Sequence, residues 1–84
     1  MNVKIYTTKI CPYCIRAKML LKKKNITFEE VNVGNDPQMR MKLVEMTGMR
    51  TVPQIFFDNR SIGGFTELQA LDHSGELDKI IQSS

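Results

Sequence analysis

Two cysteines carry the clearest chemical signal in this sequence, because they are its only thiols and lie close together as Cys11-Pro12-Tyr13-Cys14. Pro12 suits the first turn of a helix, where its missing N–H costs nothing. The pattern therefore predicts Cys11 just before a helix and Cys14 about one turn further on. Two sulfurs at that spacing can reach each other without unwinding the helix, so the pair suits thiol–disulfide exchange.

The position of Cys11 favours the reactive form of its sulfur. Disulfide exchange needs a thiolate, and a free thiol with a pKa of about 8.5 is mostly protonated at neutral pH. A sulfur at a helix N-terminus faces unpaired N–H groups and the positive end of the dipole, and Lys9 adds a positive charge. We expect Cys11 to be the nucleophile, with a pKa depressed into the range of about 3.5–7.5. Cys14, expected to be less exposed, resolves the mixed disulfide, and Tyr13 presents an exposed ring beside the sulfur.

The alternative for a Cys-x-x-Cys pair is half of a zinc site. A structural zinc ion normally takes four protein ligands. This chain offers two cysteines and one histidine, His73, and His73 is better explained as a residue near the C-terminal end of a helix. We therefore expect no metal.

Length and composition limit the remaining functions. The chain has 84 residues, of which 42% are hydrophobic and 25% charged, enough for one compact core but not for a large internal cavity. We expect a single domain over residues 1–84, a monomer, with its substrate site at the surface. The net charge of +3 is mild, and the only basic run, Lys22–Lys24, suits a solvated helix C-terminus. We therefore expect neither nucleic acid nor a membrane as a partner.

Cysteine usage favours a reducing compartment. A secreted domain of this size would usually carry more disulfides. The sequence begins with a strand-like run, Val3 to Tyr6, rather than a charged-then-apolar leader, and no apolar run approaches the roughly 18 residues needed to span a bilayer. We expect a cytoplasmic protein, in which a two-cysteine motif is more often catalytic or metal-binding than structural.

The hydrophobic pattern predicts an α/β fold with the element order βαβαββα. Parallel strands should flank the first helix, and an antiparallel hairpin should close a mixed sheet flanked by helices. Phe56 and Phe57 should face opposite sides of that sheet, and some of Met39, Met41, Met46 and Met49 should fill the core. The predicted elements are a strand at Val3–Tyr6, a helix from Pro12 to Asn25, a strand that begins at Ile26 and includes Val31 and Val33, a helix capped by Asp36 and ended by Gly48, a hairpin of Gln54–Asp58 with Ser61–Ile62, and a last helix over Phe65–Leu71 that is interrupted at Ser74–Gly75 and resumes over Leu77–Ile81.

Three segments in this order resemble the glutaredoxin family: Cys11-Pro12-Tyr13-Cys14, Thr51-Val52-Pro53, and Gly63-Gly64 ahead of a helix. Each is weak alone, but together and at these separations they are highly specific. The resemblance is to dithiol glutaredoxins and runs from Val3 to about Ile81. It implies a thioredoxin-like fold with a four-stranded mixed sheet. It also implies reduction of protein disulfides and glutathione mixed disulfides, with glutathione as co-substrate and no permanently bound cofactor.

The resemblance also implies how glutathione is held. Pro53 matches the family's cis-proline, although only about 5–6% of X–Pro bonds are cis in general. The backbone of Val52 would then pair with the cysteine of glutathione like a short strand. Free N–H groups at the start of the last helix would hold the γ-glutamyl carboxylate. The expected glutathione contacts are Lys9, Tyr13, Arg40, Thr51, Val52, Pro53, Gly64, Phe65, Thr66 and Glu67.

Two parts of this site depart from the family pattern. The family commonly has Lys three residues before the first cysteine, where this chain has Thr8, with Lys9 one place later. Arg40 falls where relatives carry Gln or Arg facing the glycyl carboxylate, its alternative being a solvated helix arginine, and Arg50 is a weaker candidate. Thr66 replaces an Asp that is frequent in the family, and its alternative role is to cap the helix.

Two other functions stay open at this point. One is a redoxin reduced by thioredoxin reductase. The other is a dimer that bridges a [2Fe–2S] cluster through Cys11 and glutathione, which Pro12 disfavours because cluster-binding relatives often have Gly there. For the leading function, the resemblance implies glutathionylated proteins and ribonucleotide reductase as protein partners.

Overall fold

The computed structural model describes residues 1–83 and contains a mixed sheet with helices on both faces. Its strand order is β2-β1-β3-β4. β1 is parallel to β2 and antiparallel to β3, and β3 forms an antiparallel hairpin with β4. The predicted α/β class and strand directions are confirmed. The elements are β1 (Val3–Thr7), α1 (Pro12–Lys23), β2 (Glu29–Asn32), α2 (Pro37–Thr47), β3 (Gln54–Phe57), β4 (Arg60–Gly63), α3 (Phe65–Ser74) and α4 (Glu76–Gln82).

The ends of α2 follow from local sequence as predicted. Asp36 is the N-cap, and its Oδ1 atom accepts a hydrogen bond from the Met39 N–H at 3.0 Å. Pro37 occupies the first helical position. Gly48 ends the helix in the left-handed conformation, with φ of 73°, and its N–H donates to the Val44 carbonyl at 2.7 Å.

The predicted start of the second strand is wrong. Ile26 to Phe28 lies outside β2, because the Ile26 N–H donates to the Leu21 carbonyl at 2.9 Å and so closes the end of α1 rather than extending the sheet. The predicted interruption at Ser74–Gly75 is confirmed, and it divides the last helical segment into two helices. Gly75, with φ of 83°, ends α3 by donating to the Asp72 carbonyl at 3.2 Å, and α4 begins at the following residue.

The sheet separates two apolar clusters, and adjacent phenylalanines of β3 belong to different ones, as alternation predicts. Phe57 lies in the larger cluster with Ala17 and Leu21 of α1 and Leu68 of α3. Phe56 packs on the other face, where its ring lies edge-on to Tyr6 with centroids 5.7 Å apart. That second cluster also contains Val33 and Leu43, so α2 covers this face.

The methionines are divided between core and surface. Met39 packs against the α2-side cluster. Met41 and Met46 are 66% and 52% exposed, so they do not fill the core. Met49 is half-buried in the loop after α2.

The basic run at the end of α1 is not wholly solvated, which corrects the sequence-based interpretation. The Nζ atom of Lys24 lies 2.9 Å from the Oδ1 atom of Asp78 and also 2.9 Å from the Oδ1 atom of Asp72. Hydrogen bonds to Asp78 and then to Asp72 raise the pKa of Lys24 above its ordinary value. The ammonium therefore joins α1 to both C-terminal helices.

Among residues 1–83, none of the helices has the length and apolar character that crossing a bilayer requires.

Candidate active site

Cys11 and Cys14 lie at the opening of α1, where the sequence predicts them. Cys11 is the N-cap, with the extended backbone angles φ −153° and ψ 98°, and Pro12 takes the first helical position. The Cys14 N–H donates to the Sγ atom of Cys11 at 3.1 Å. The two sulfurs form a disulfide, and their Cα atoms are 5.2 Å apart. One orphan amide of the helix is thus directed at the first sulfur.

The two sulfurs differ in exposure in the expected direction. Cys11 is 9% exposed and Cys14 is 2% exposed. An incoming thiol therefore has more access to Cys11. The first turn of α1 carries no acidic residue that would oppose a negative charge on this sulfur.

The loop before β3 lies directly against Cys11. The Val52 carbonyl oxygen is 3.8 Å from the Cys11 Sγ atom. The Val52–Pro53 peptide bond is cis, as the resemblance implies. Pro53 is buried and Val52 half-buried, whereas Thr51 is exposed. This arrangement leaves backbone of the loop beside the Cys11 sulfur.

Two glycines, Gly63 at the end of β4 and Gly64 directly after it, leave room where the chain passes the proline loop and enters α3. A Cβ atom on Gly64 would lie 3.2 Å from the Pro53 carbonyl oxygen. Gly63 has φ of +109°, and a Cβ there would lie 2.7 Å from the Glu67 carboxylate and 3.0 Å from its Cβ. Side chains at either position would displace the start of α3 or the proline loop.

An open groove of about 260 Å³ runs between these segments. The structure brings together eight of the ten predicted glutathione contacts there and adds Met49, one of the four methionines of which some were expected to fill the core. The available signal for Met49 was its position just before the Thr-Val-Pro turn. The lining residues are Tyr13, Met49, Thr51, Val52, Pro53, Gly64, Phe65, Thr66 and Glu67.

Lys9 and Arg40 lie outside this groove. They line a separate depression of about 460 Å³. Arg40 also lines a third cavity, of about 150 Å³, together with Arg50, Thr51 and Val52. Arg40 therefore connects the depression at Lys9 with the loop beside the sulfur, and Arg50 lies on the same side of that loop.

The start of α3 differs in one detail from the expectation. Its N-cap is Gly64, and Thr66 is the second residue of the helix, so Thr66 does not cap it. Glu67 instead accepts a hydrogen bond from the Gly64 N–H through Oε1 at 2.6 Å. The amides of Phe65 and Thr66 belong to the first turn, where a helix offers them no acceptor, and both residues line the groove.

Tyr13 covers the side of the groove nearest the disulfide. It is 54% exposed, and its ring centroid lies 6.2 Å from that of Phe65. The guanidinium carbon of Arg16 lies 5.3 Å from the Tyr13 ring centroid, within the range of a cation–π contact. Sequence reasoning missed Arg16, although its i, i+3 spacing from Tyr13 on a helix was a usable signal.

A polar network supports the end of β1 that leads to Cys11. The hydroxyl of Thr7, which is fully buried, donates to the Glu30 Oε2 atom at 2.7 Å. Lys18 of α1 donates to the same oxygen at 3.0 Å. The Thr7 hydrogen bond, followed by that of Lys18, lowers the pKa of Glu30 below its ordinary value. The network joins β1, β2 and α1 below the cysteines.

His73 lies in the last turn of α3, as predicted. Within residues 1–83, no group of three or more His, Cys, Asp or Glu side chains is arranged to hold a metal ion.

Comparison with known proteins gives consistent results. A family model described as Glutaredoxin matches residues 3–62. Glutaredoxin 3 of Escherichia coli strain K12 is 44% identical over 81 residues, which span 96% of this chain and 98% of that protein. The solution structure of a Brucella melitensis glutaredoxin has a TM-score of 0.86 at 41% identity, covering 95% of this chain and 87% of that one. A buckwheat glutaredoxin crystallised as a glutathione complex has a TM-score of 0.92, covering 98% of this chain and 77% of that one, but at 22% identity it supports the fold alone.

Proposed function

The chain belongs to the glutaredoxin family, and on that premise we propose that it reduces protein disulfides and glutathione mixed disulfides with glutathione as co-substrate. The family and the Cys11–Cys14 pair make it a thiol–disulfide oxidoreductase with a thioredoxin-like fold. The observation that carries the finer assignment is the contact of the Cys11 sulfur with a helix amide on one side and the Val52 backbone on the other.

Cys11 is the nucleophile in this proposal. The Cys14 N–H at 3.1 Å and the open end of α1 stabilise a negative sulfur more than a neutral one. They therefore favour the thiolate form of Cys11 once the disulfide is reduced. The greater exposure of Cys11 directs attack through this sulfur rather than through Cys14.

Reduction of a glutathionylated protein then takes two exchanges. The Cys11 thiolate attacks the glutathione sulfur, a bond forms between Cys11 and glutathione, and the protein leaves as a thiolate that takes a proton from water. A second glutathione, as thiolate, attacks the bound glutathione sulfur. Cys11 is released as thiolate and glutathione leaves as glutathione disulfide, so glutathione has supplied the two electrons that reduced the protein sulfur.

A protein disulfide uses the second sulfur as well. Cys11 attacks one sulfur of the substrate and forms a mixed disulfide, and the other substrate sulfur leaves as a thiol. Cys14, after losing its proton, attacks the Cys11 sulfur and releases the reduced protein. The Cys11–Cys14 disulfide that remains is reduced by two molecules of glutathione.

The groove offers complementary groups for the extended tripeptide. Val52 backbone beside the sulfur pairs with the cysteine of glutathione in the manner of a short strand. The Phe65 and Thr66 amides, at the positive end of α3, hold the γ-glutamyl carboxylate. Arg40 lies outside the groove, in a cavity that it lines together with Thr51 and Val52 of the same loop, and in this proposal it holds the glycyl carboxylate. A ligand with an anion at each end therefore meets a positive group at each end.

The setting of the reaction follows from the same chemistry. A two-cysteine site of this kind is kept active in a reducing, cytoplasmic compartment. Under this proposal the chain works as a monomer, because one copy supplies both sulfurs and the groove. Its protein substrates are glutathionylated proteins and disulfide proteins, with ribonucleotide reductase as a candidate from the family.

The test is a coupled assay in which glutathione, glutathione reductase and NADPH reduce a small glutathione mixed disulfide. Cys11→Ser should abolish turnover, whereas Cys14→Ser should retain it, because glutathione itself resolves the intermediate. Replacing the glutathione system by thioredoxin reductase should give little activity. Loss of turnover in Cys14→Ser with activity kept in Cys11→Ser would reverse the assigned roles.

A further inference from the structure

Gln54 is a fully buried polar residue that takes no part in the proposed exchange. It is the first residue of β3, directly after Pro53, and it is 0% exposed. On β1 its register partner is Tyr6. A buried amide normally satisfies both its donors and its acceptor, because leaving one unmade is costly.

The side chain of Gln54 is satisfied on one side only. Its Nε2 atom donates to the Thr51 carbonyl at 2.8 Å and lies 4.0 Å from the Met49 sulfur. Its Oε1 atom is buried and has no hydrogen-bond partner within residues 1–83. The Thr51 carbonyl can only accept, so the amide orientation is fixed by that contact: a flipped amide would place oxygen against oxygen.

This half-satisfied state indicates what the amide contributes. An apolar side chain of similar shape would remove the unpaired carbonyl and would not lower stability on that account. The satisfied half of the amide is directed at the loop that carries Val52. The hydrogen bond from the Gln54 amide to the Thr51 carbonyl therefore constrains the conformation of the loop, rather than adding to the packing of the core.

We propose that Gln54 is a positioning residue, which holds the Thr51 carbonyl and thereby orients the Val52 backbone toward glutathione; this inference rests on the proposed function. Val52 lies between two fixed points, the buried Pro53 and the tethered Thr51 carbonyl. Its own carbonyl lies 3.8 Å from the Cys11 sulfur. A loop ordered before the ligand arrives loses less freedom on binding, so its affinity for an extended peptide is higher.

The test compares wild type with Gln54→Met, which has similar length and shape but no donor. In the coupled assay, the KM for a small glutathione mixed disulfide should rise about three- to tenfold while kcat stays within about twofold, the pattern of a lost binding contact. Nuclear magnetic resonance relaxation should show a lower order parameter for the Val52 amide. The unfolding midpoint should change little, because the variant removes the unpaired Gln54 carbonyl together with one hydrogen bond to the Thr51 carbonyl, and Thr51 is exposed to solvent.

Val3→Ala is the matched control, because Val3 is a buried core residue on β1, at the end of the strand remote from the cysteines. It should lower the unfolding midpoint and leave both the KM and the Val52 order parameter unchanged. If Val3→Ala changed them as much as Gln54→Met does, general loosening would be the cause and the proposal would be wrong.

A second variant and the results that would overturn the role of Gln54 complete the test. Gln54→Leu, a second apolar variant, guards against a failure specific to methionine. An unchanged KM and Val52 order parameter in either folded variant would overturn the proposal, and so would failure of both variants to fold. If wild type did not turn over the glutathione substrate, the proposed function would be wrong. The order parameter of the Val52 amide would then still test whether Gln54 restricts the motion of the loop.

Discussion

The backbone N–H of Cys14 donates to the Sγ atom of Cys11 at 3.1 Å, so the second cysteine orients the first through its main chain as well as through its sulfur. This donor does not depend on the Cys14 side chain. Replacing Cys14 by serine therefore removes the resolving thiol while keeping the amide that stabilises a Cys11 thiolate. The two contributions of Cys14 can be measured separately.

Arg40 should matter more for glutathione than other cations of the same helix. We expect Arg40→Ala to raise the KM for glutathione about three- to tenfold, because a charge-assisted contact to a carboxylate is lost, and the effect should shrink at high salt. Lys42→Ala, which removes one positive charge from an exposed position of the same helix, should leave the KM within about twofold. Equal effects of the two variants would mean that Arg40 acts only through net charge.

Gly63 should tolerate a side chain worse than Gly48 does. Both have positive φ, but a Cβ on Gly63 meets the Glu67 side chain at 2.7 Å, whereas a Cβ on Gly48 has nothing within 4 Å. In urea denaturation we expect Gly48→Ala to lower the free energy of unfolding by about 1 kcal/mol and Gly63→Ala by about 2–4 kcal/mol. Similar losses for both variants would contradict this prediction, because they would show that the Glu67 side chain moves aside and that its contact with the new Cβ atom costs little stability.

The Glu30 network should make stability depend on acid pH. The Thr7 hydrogen bond and then Lys18 lower the pKa of Glu30 in the folded state, so in acid the unfolded state binds more protons. The stabilisation is thus fully present above the unfolded-state pKa, about 4.3, and is lost as the pH falls through the lower folded-state pKa. Thr7→Val should lose less stability in acid than wild type does. The measurement is the free energy of unfolding of both proteins at neutral pH and at a pH of about 3, and the difference between the two proteins should be smaller at the acid pH. A difference that stays constant over this range would contradict the assignment.

Local sequence was sufficient where a single segment decides the outcome. Asp36, Pro37 and Gly48 define α2 because capping and left-handed glycine act within a few residues. The Cys-Pro-Tyr-Cys segment similarly predicted its own place at a helix start. The position of β2 could not be predicted from alternation, since Glu30 is held in that strand by Thr7 and Lys18, which are distant in sequence.

Two polar contacts that the sequence did not predict depend on tertiary structure. Gln54 resembled an ordinary strand residue, and its role became visible only when its amide was found against the Thr51 carbonyl. Lys24 resembled a solvated lysine until Asp72 and Asp78 were brought to it from two other helices. Hydrophobic periodicity carries no information about such polar partners.

The most direct test of this account is the pH dependence of Cys11 alkylation in reduced Cys14→Ser, where one thiol remains and its helix amide is preserved. The account predicts a midpoint well below the value of about 8.5 for a free thiol, together with rapid reaction at neutral pH. A midpoint at the free-thiol value, with slow alkylation at neutral pH, would contradict it, because the amide at the helix start would then not stabilise the Cys11 thiolate.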